Sequence, residues 1–379
     1  MGIKIILLII FFAVMAAVGI YSRRHVTSVD GFVLGGRSVG PWLTAFAYGT
    51  SYFSAVVFVG YAGQFGWKYG IASTWIGIGN ALIGSLLAWV VLGRRTKVMT
   101  QHLGSRTMPD FFGERYKSKS LKITASVIVF VFLIPYTASV YNGLSRLFAM
   151  AFNIPYTWCV VTMAAFTALY VILGGYMATA INDFIQGIIM LIGIVAVIAA
   201  VLNGQGGFMN AIAEMAKIPS DVPLTQGQPG AFTSFFGPDP VNLLGVVLLT
   251  SLGTWGLPQM IGKFYAIKDE KSISTGTIIS TIFAIIISGG CYFLGGFGRL
   301  FDSPEIYDKA GGAVVYDSII PHMLSMLPDL LIGVVVVLVL SASMSTLSSL
   351  VLTSSSTLTL DLLKDNICLL YTSPSPRDR

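Results

Sequence analysis

Residues 47–55 read AYGTSYFSA, a glycine with three Ser or Thr side chains inside an otherwise apolar stretch, which marks an interruption around Gly49, Thr50 and Ser51. Such residues suit a membrane helix that is interrupted, because unwinding frees carbonyls and amides that lipid cannot satisfy and that must face a ligand, water or protein. The same kind of interruption recurs at residues 250–259, TSLGTWGLPQ, around Ser251, Gly253, Thr254, Gly256 and Pro258. The two breaks lie at similar depths in segments beginning near 41 and 241. Matched breaks are the pattern expected when two inverted halves frame a site near the bilayer midplane. Glycine also serves close packing between membrane helices, and GIGNALIGS at 77–85 reads as a packing surface of that kind.

Working outward, the 379 residues are 55% hydrophobic and 11% charged, with a mean hydropathy of +0.79. Soluble domains carry about 25% charged residues, so this is an all-helical polytopic membrane chain. Nine apolar segments are readable, at roughly 3–21, 41–65, 71–93, 122–151, 155–173, 180–202, 241–262, 275–298 and 328–361. Arg23 and Arg24 follow the first segment and only Lys4 precedes it, which places the N-terminus outside and argues against a cleaved signal. Alternation then puts fifteen Lys and Arg in the cytoplasmic segments, Lys97 and Lys263 among them, against five outside. One missed helix would invert every later loop, so the bias supports the span count. A formal charge of +6 would suggest nucleic acid in a soluble chain; here the placement of charge matters more than its sum, and no nucleic-acid partner is expected.

The last segment begins as pure hydrocarbon and then fills with hydroxyls, SASMSTLSSLVLTSSSTLTLDLLK at 341–364. Residues three and four apart share a helix face, which groups Ala342 with Ser345 and Thr346, and Ser345 with Ser348 and Ser349. Hydroxyls and freed carbonyls suit a hard cation such as Na⁺. They equally suit bonds back to their own helix or tight packing, the reading given to the hydroxyls at 353–359. Asp183, in TAINDFIQG, stands close to or within an apolar span. An intramembrane carboxylate needs a cation, a hydrogen-bonded partner or water, whereas at a helix start it can be solvated or favoured by the helix dipole. No phosphate-cradling loop, nucleophile and base pair, or histidine cluster is present, so neither ATP-driven transport nor enzymatic activity is expected. Cys159, Cys291 and Cys368 have no ligand or disulfide spacing. Residues 1–365 read as one transmembrane domain, and 366–379, NICLLYTSPSPRDR, as an anomalous tail resembling foreign sequence or a disordered end.

Over about residues 30–365 the chain resembles the sodium:solute symporter family. The resemblance is carried by FVLGGRSVGPWLTAFAYGTSYFSA, YVILGGYMATAINDFIQGIIML, LGTWGLPQMIGKFYAIKD and LSASMSTLSSLVLTSSSTLTLDLLK. It implies a leucine-transporter-like core of five plus five inverted helices behind one extra N-terminal helix. Members continue beyond the eighth core helix, so it also implies a C-terminally truncated chain with an incomplete second repeat. By position it implies a first sodium site of Thr50, Phe53, Ala342, Ser345 and Thr346. A second, present in some members, would comprise Asp183, Ser345, Ser348 and Ser349. The solute site implied beside the two breaks comprises Tyr52, Val56, Val57, Ser251, Thr254 and Trp255. Val56 and Val57 stand where sugar carriers tend to place polar side chains, so a small, partly apolar solute is expected, proline or a similar amino acid first. The expected function is sodium-coupled import across the plasma membrane, with Na⁺ as co-transported ion, the solute and the lipid bilayer as partners, and no organic cofactor. A sugar or organic-acid symporter and a symporter-like solute-sensing domain of a signalling protein are the alternatives. Oligomeric state is left open.

Overall fold

The structure, a computed structural model, describes residues 2–25, 28–152, 154–308 and 312–364. The tail at 366–379, with Cys368, lies outside the described residues. Among the described residues the chain is helical, with two isolated backbone bridges, Val39 to Ile267 and Tyr307 to Val314. Six stretches of the described residues are long and apolar enough to cross a bilayer, and a seventh if Pro240–Gly256 and Pro258–Ala266, bent by 53°, count as one span. Two of the six, Val56–Leu103 and Thr157–Gly204, are 48 residues long. At 1.5 Å per residue that is about 72 Å, more than twice the ~30 Å of a hydrocarbon core.

Each long stretch turns back at a glycine with left-handed backbone, Gly70 (φ 59°) and Gly175 (φ 52°). Contacts along the first helix show the reversal at Gly175. Phe12 lies 4.4 Å from Phe166, Gly19 meets Tyr170 and Gly174 meets Ser22, and then Gln186 returns to the Met15 sulfur at 3.2 Å. At Gly70 the chain climbs past Gly295 at Gly66 and descends again through Ser73 to the Tyr292 carbonyl (2.8 Å) and Ser85 to Ser280 (2.7 Å). Only glycine combines a positive φ with such crowding: a Cβ at Gly70 would overlap the Phe232 carbonyl oxygen. These divisions recover each of the nine apolar segments.

We label the helices of the bundle α1 Gly2–Ser22, α2 Pro41–Tyr52, α3 56–69, α4 70–103, α5 Lys119–Phe152, α6 156–174, α7 176–204, α8 Pro240–Leu252, α9 Pro258–Ala266, α10 Glu270–Gly295 and α11 Asp329–Lys364. α1 is peripheral and α11 is central, with every residue from Ser341 to Leu350 buried. The hydroxyls of that stretch therefore face protein and not lipid. Two ends are tied by polar contacts. Arg106 with Asp30 (2.5 Å) and Thr107 with Asp361 (2.7 Å) lie at one; Lys4 with Asp329 (2.9 Å) and Arg299 with Asp221 (2.6 Å) lie at the other.

Two of the lysines assigned to cytoplasmic segments are not in solvated loops. Lys97 and Lys263 are 1% and 2% exposed. Pro258, at the first turn of α9, restarts the helix after the break and carries it through Ala266, four residues beyond the apolar segment read from the sequence. Lys263 is thereby drawn inside.

Candidate functional site

The first break falls at residues 53–55, after the glycine that signalled it. Gly49 remains helical and packs so closely on Phe283 that a Cβ would run into the ring. The Phe53 N–H still reaches the Gly49 carbonyl at 3.2 Å. Ser54 then starts α3, its hydroxyl accepting from the Val56 N–H (3.2 Å) and its carbonyl from Val57 (3.0 Å) and Phe58 (3.1 Å). In the second broken helix Gly253–Gly256 form a tight turn, and Leu257 is extended (ψ 122°) before Pro258. The two broken helices run antiparallel. Tyr48 and Phe264 rings lie 5.5 Å apart, while the Tyr52 hydroxyl donates to the Thr250 carbonyl at 3.0 Å.

α11 passes the first break with its hydroxyl face. Ser345 Oγ lies 3.2 Å from the Thr50 carbonyl and 3.1 Å from that of Ala342. Thr346 Oγ1 lies 3.4 Å and 3.1 Å from the same two oxygens. Two hydroxyls and two carbonyls thus converge in a fully buried spot, the oxygen set a hard monovalent cation takes. Phe53 and Ala342 border one small void beside it.

One turn further on, Ser348 Oγ bonds back to the Ser345 carbonyl (2.9 Å). Ser349 Oγ lies 2.9 Å from Ser51 Oγ and accepts from Lys263 Nζ at 2.9 Å. The same ammonium is 3.5 Å from Asp183 Oδ2. Asp183 is 0% exposed; it is neither solvated nor alone, and its charge is balanced by a buried lysine. The expected pairing of Ser349 with Asp183 therefore runs through Lys263, a residue the sequence reading left among loop charges. Nothing in the sequence marked Lys263, which falls one residue beyond the apolar segment read as 241–262.

A cavity of ≈ 350 Å³ lies beside both breaks, on the side toward Gly70. Of the six residues named for the solute site, Tyr52, Val56, Val57 and Thr254 line it, with Ser54, Phe65, Tyr136 and Leu257. Ser251 and Trp255 lie outside that lining. The Ser251 hydroxyl donates to Asn80 Oδ1 (3.1 Å) and the Trp255 indole to the Ile83 carbonyl (3.0 Å). Asn80 itself borders the cavity and also accepts from Thr250 (2.9 Å). The reading of 77–85 as a packing surface holds for Gly77, against Gly289, and for Gly84, against Tyr52. It missed Asn80, the one amide among them.

A family model described as the sodium:solute symporter family matches residues 32–367. The chain belongs to the sodium:solute symporter family. It is 32% identical over 371 residues to sodium/proline symporter 2 of Staphylococcus saprophyticus, which covers 95% of this chain and 68% of that one. Against the sodium/proline symporter of Staphylococcus aureus it is 31% identical over 370 residues, with the same shares covered. Among solved structures, a substrate-bound, outward-open Na⁺-coupled sialic acid symporter superposes with a TM-score of 0.79 at 17% identity, over 99% of this chain and 76% of the other. That similarity concerns the fold. Membership fixes Na⁺ as the co-transported ion in a multi-pass membrane protein, which fits a buried oxygen cage next to a solute-sized cavity at interrupted helices.

Proposed function

We propose that the chain is a sodium-coupled symporter importing proline or a similar small amino acid across the plasma membrane, with its N-terminus outside. The observation that carries this reading is the juxtaposition of the cage at Thr50, Ala342, Ser345 and Thr346 with the ≈ 350 Å³ cavity across the same break. The cavity falls within the roughly 300–1,000 Å³ of small-ligand sites. Its walls are apolar at Val56, Val57, Phe65 and Leu257 and polar at Ser54, Asn80 and Thr254, which suits a solute with one hydrocarbon face. Na⁺ held by Thr50 fixes the end of α2, and Tyr52 two residues later borders the solute, so filling one site shapes the other. Each Na⁺ moving through 100 mV contributes about 2.3 kcal/mol to accumulation. Uptake of radiolabelled proline into proteoliposomes, with and without a Na⁺ gradient and in competition with sugars, sugar acids and carboxylates, tests the reading. Na⁺-dependent uptake blocked by cold proline and not by sugars supports it; a sugar acid as the effective competitor redirects the substrate class.

A further inference from the structure

A second cavity, of ≈ 50 Å³, lies on the opposite side of the oxygen cage, at the end bearing Arg106 and Thr107. Ser349, Thr353, Ser356 and Thr357 all line it. Their spacing places them on one face of α11, continuing the face that begins at Ser345. These later hydroxyls are therefore not mere packing. Ser354 and Ser355, off that face, bond back to the carbonyls of Val351 and Leu352.

The cavity is bordered by polar atoms that no protein group satisfies. Both amide atoms of Gln259 and the Thr357 hydroxyl are buried without a partner, at 2% and 0% exposure. Buried polar groups are almost always bonded to protein, water or an ion. The space is several times the roughly 10–15 Å³ that one water needs. At its far end Thr107 donates to Asp361, so the hydroxyl face terminates on a carboxylate.

Between cage and cavity stands one cation. Ser51, adjacent to the cage carbonyl of Thr50, touches Ser349 Oγ, and Ser349 Oγ holds Lys263 Nζ. Lys263 also lines the cavity and is tethered by Asp183 and by the Tyr176 ring at 5.3 Å. We propose that this cavity is the route by which Na⁺ leaves toward the basic end of the molecule, with Gln259 and Thr357 as transit ligands and the Lys263 ammonium as the plug at its head. A fixed positive charge repels Na⁺ without filling the passage, and swinging α9 away with its lysine would open the passage. The inference rests on the symporter reading.

The test uses the full chain in proteoliposomes with ²²Na⁺ and no solute. Lys263→Met is expected to raise solute-independent ²²Na⁺ entry roughly 10- to 100-fold, while Lys263→Arg keeps it at the wild-type level. Separately, Thr357→Cys, in a chain with Cys159, Cys291 and Cys368 changed to Ser, is expected to react with a cationic methanethiosulfonate and to be slowed by Na⁺ but not by choline. A folded Lys263→Met protein that leaks no more than wild type overturns the plug. A thiol in the Thr357→Cys variant whose reaction is indifferent to Na⁺ overturns the transit ligands, and this measurement stands even where Lys263→Met does not fold. If Na⁺ drives uptake of no solute, the symporter reading fails, whereas leak and thiol protection still report on the cavity.

Discussion

Ser345 and Thr346 each touch the same two carbonyls, of Thr50 and Ala342, so removing either hydroxyl takes one ligand from the cage and leaves its backbone frame standing. A hydrogen-bond-like contact to a charged group contributes about 1.5–3 kcal/mol, and 1.4 kcal/mol is tenfold. Ser345→Ala and Thr346→Ala are each expected to raise the Na⁺ needed for half-maximal uptake by roughly 10- to 100-fold with the order of solute preference unchanged. Na⁺ activation curves at saturating solute measure this, and unchanged curves in both variants would remove the cage from the mechanism. Asp183 and Lys263 make a different claim, on stability. Breaking a buried pair from one side strands a charge, at a cost of about 3–5 kcal/mol, whereas removing both partners is far milder. Asp183→Ala should lower the thermal midpoint in detergent well below that of Asp183→Ala with Lys263→Met. Equal losses in the single and double variants would mean that the pair carries no coupling.

At the scale of elements, the spans were legible because apolar length is a strong signal, and the two breaks because Gly, Pro and hydroxyls punctuate them. The position of the first break was not legible. Gly49 advertised it, yet that glycine is a packing contact with Phe283, and the chain unwinds only where Ser54 can cap the next helix. A glycine in sequence does not reveal whether it is small for a neighbour or free for a turn. The neighbour decides, and it can be hundreds of residues away. Gly66 and Gly295 show this from opposite sides: a Cβ on Gly66 would overlap the Gly295 carbonyl, and one on Gly295 would overlap that of Ala62. Gly66→Ala is therefore expected to separate α3 from α10 and to cost at least the upper part of the usual 1–3 kcal/mol for overpacking, because backbone cannot rotate aside. Gly245→Ala, in α8 with nothing within 4 Å of its Cβ, should be neutral or stabilising by up to about 1 kcal/mol. Thermal midpoints of the two variants, side by side, separate a packing glycine from an idle one.

For the whole molecule, the candidate site was half legible. Thr50, Ala342, Ser345 and Thr346 stand together because helical spacing puts three of them on one face and the break brings the fourth. Asn80, Gln259 and Lys263 were not legible, since each is a single polar residue whose role depends on a helix distant in sequence: Asn80 on α8, Gln259 on the hydroxyl face of α11, Lys263 on α7. Lys263 is instructive, because counting it as a loop charge gave it the wrong environment: it is 2% exposed. The charge bias survives its removal together with that of Lys97, since Arg23, Arg24, Arg94, Arg95 and Arg106 all lie at the end opposite Lys4 and Lys217. On the proposed orientation, which keeps positive loops in the cytoplasm, the end carrying Arg106 and the small cavity faces inward, and the wider cavity faces outward. In cells, an epitope fused ahead of Gly2 should then be reached by antibody without permeabilisation. The thiol of a Lys268→Cys variant, just beyond α9, should react with a membrane-impermeant maleimide only after the membrane is opened. Reversal of both results would turn the molecule over, and with it the direction in which Lys263 guards the passage.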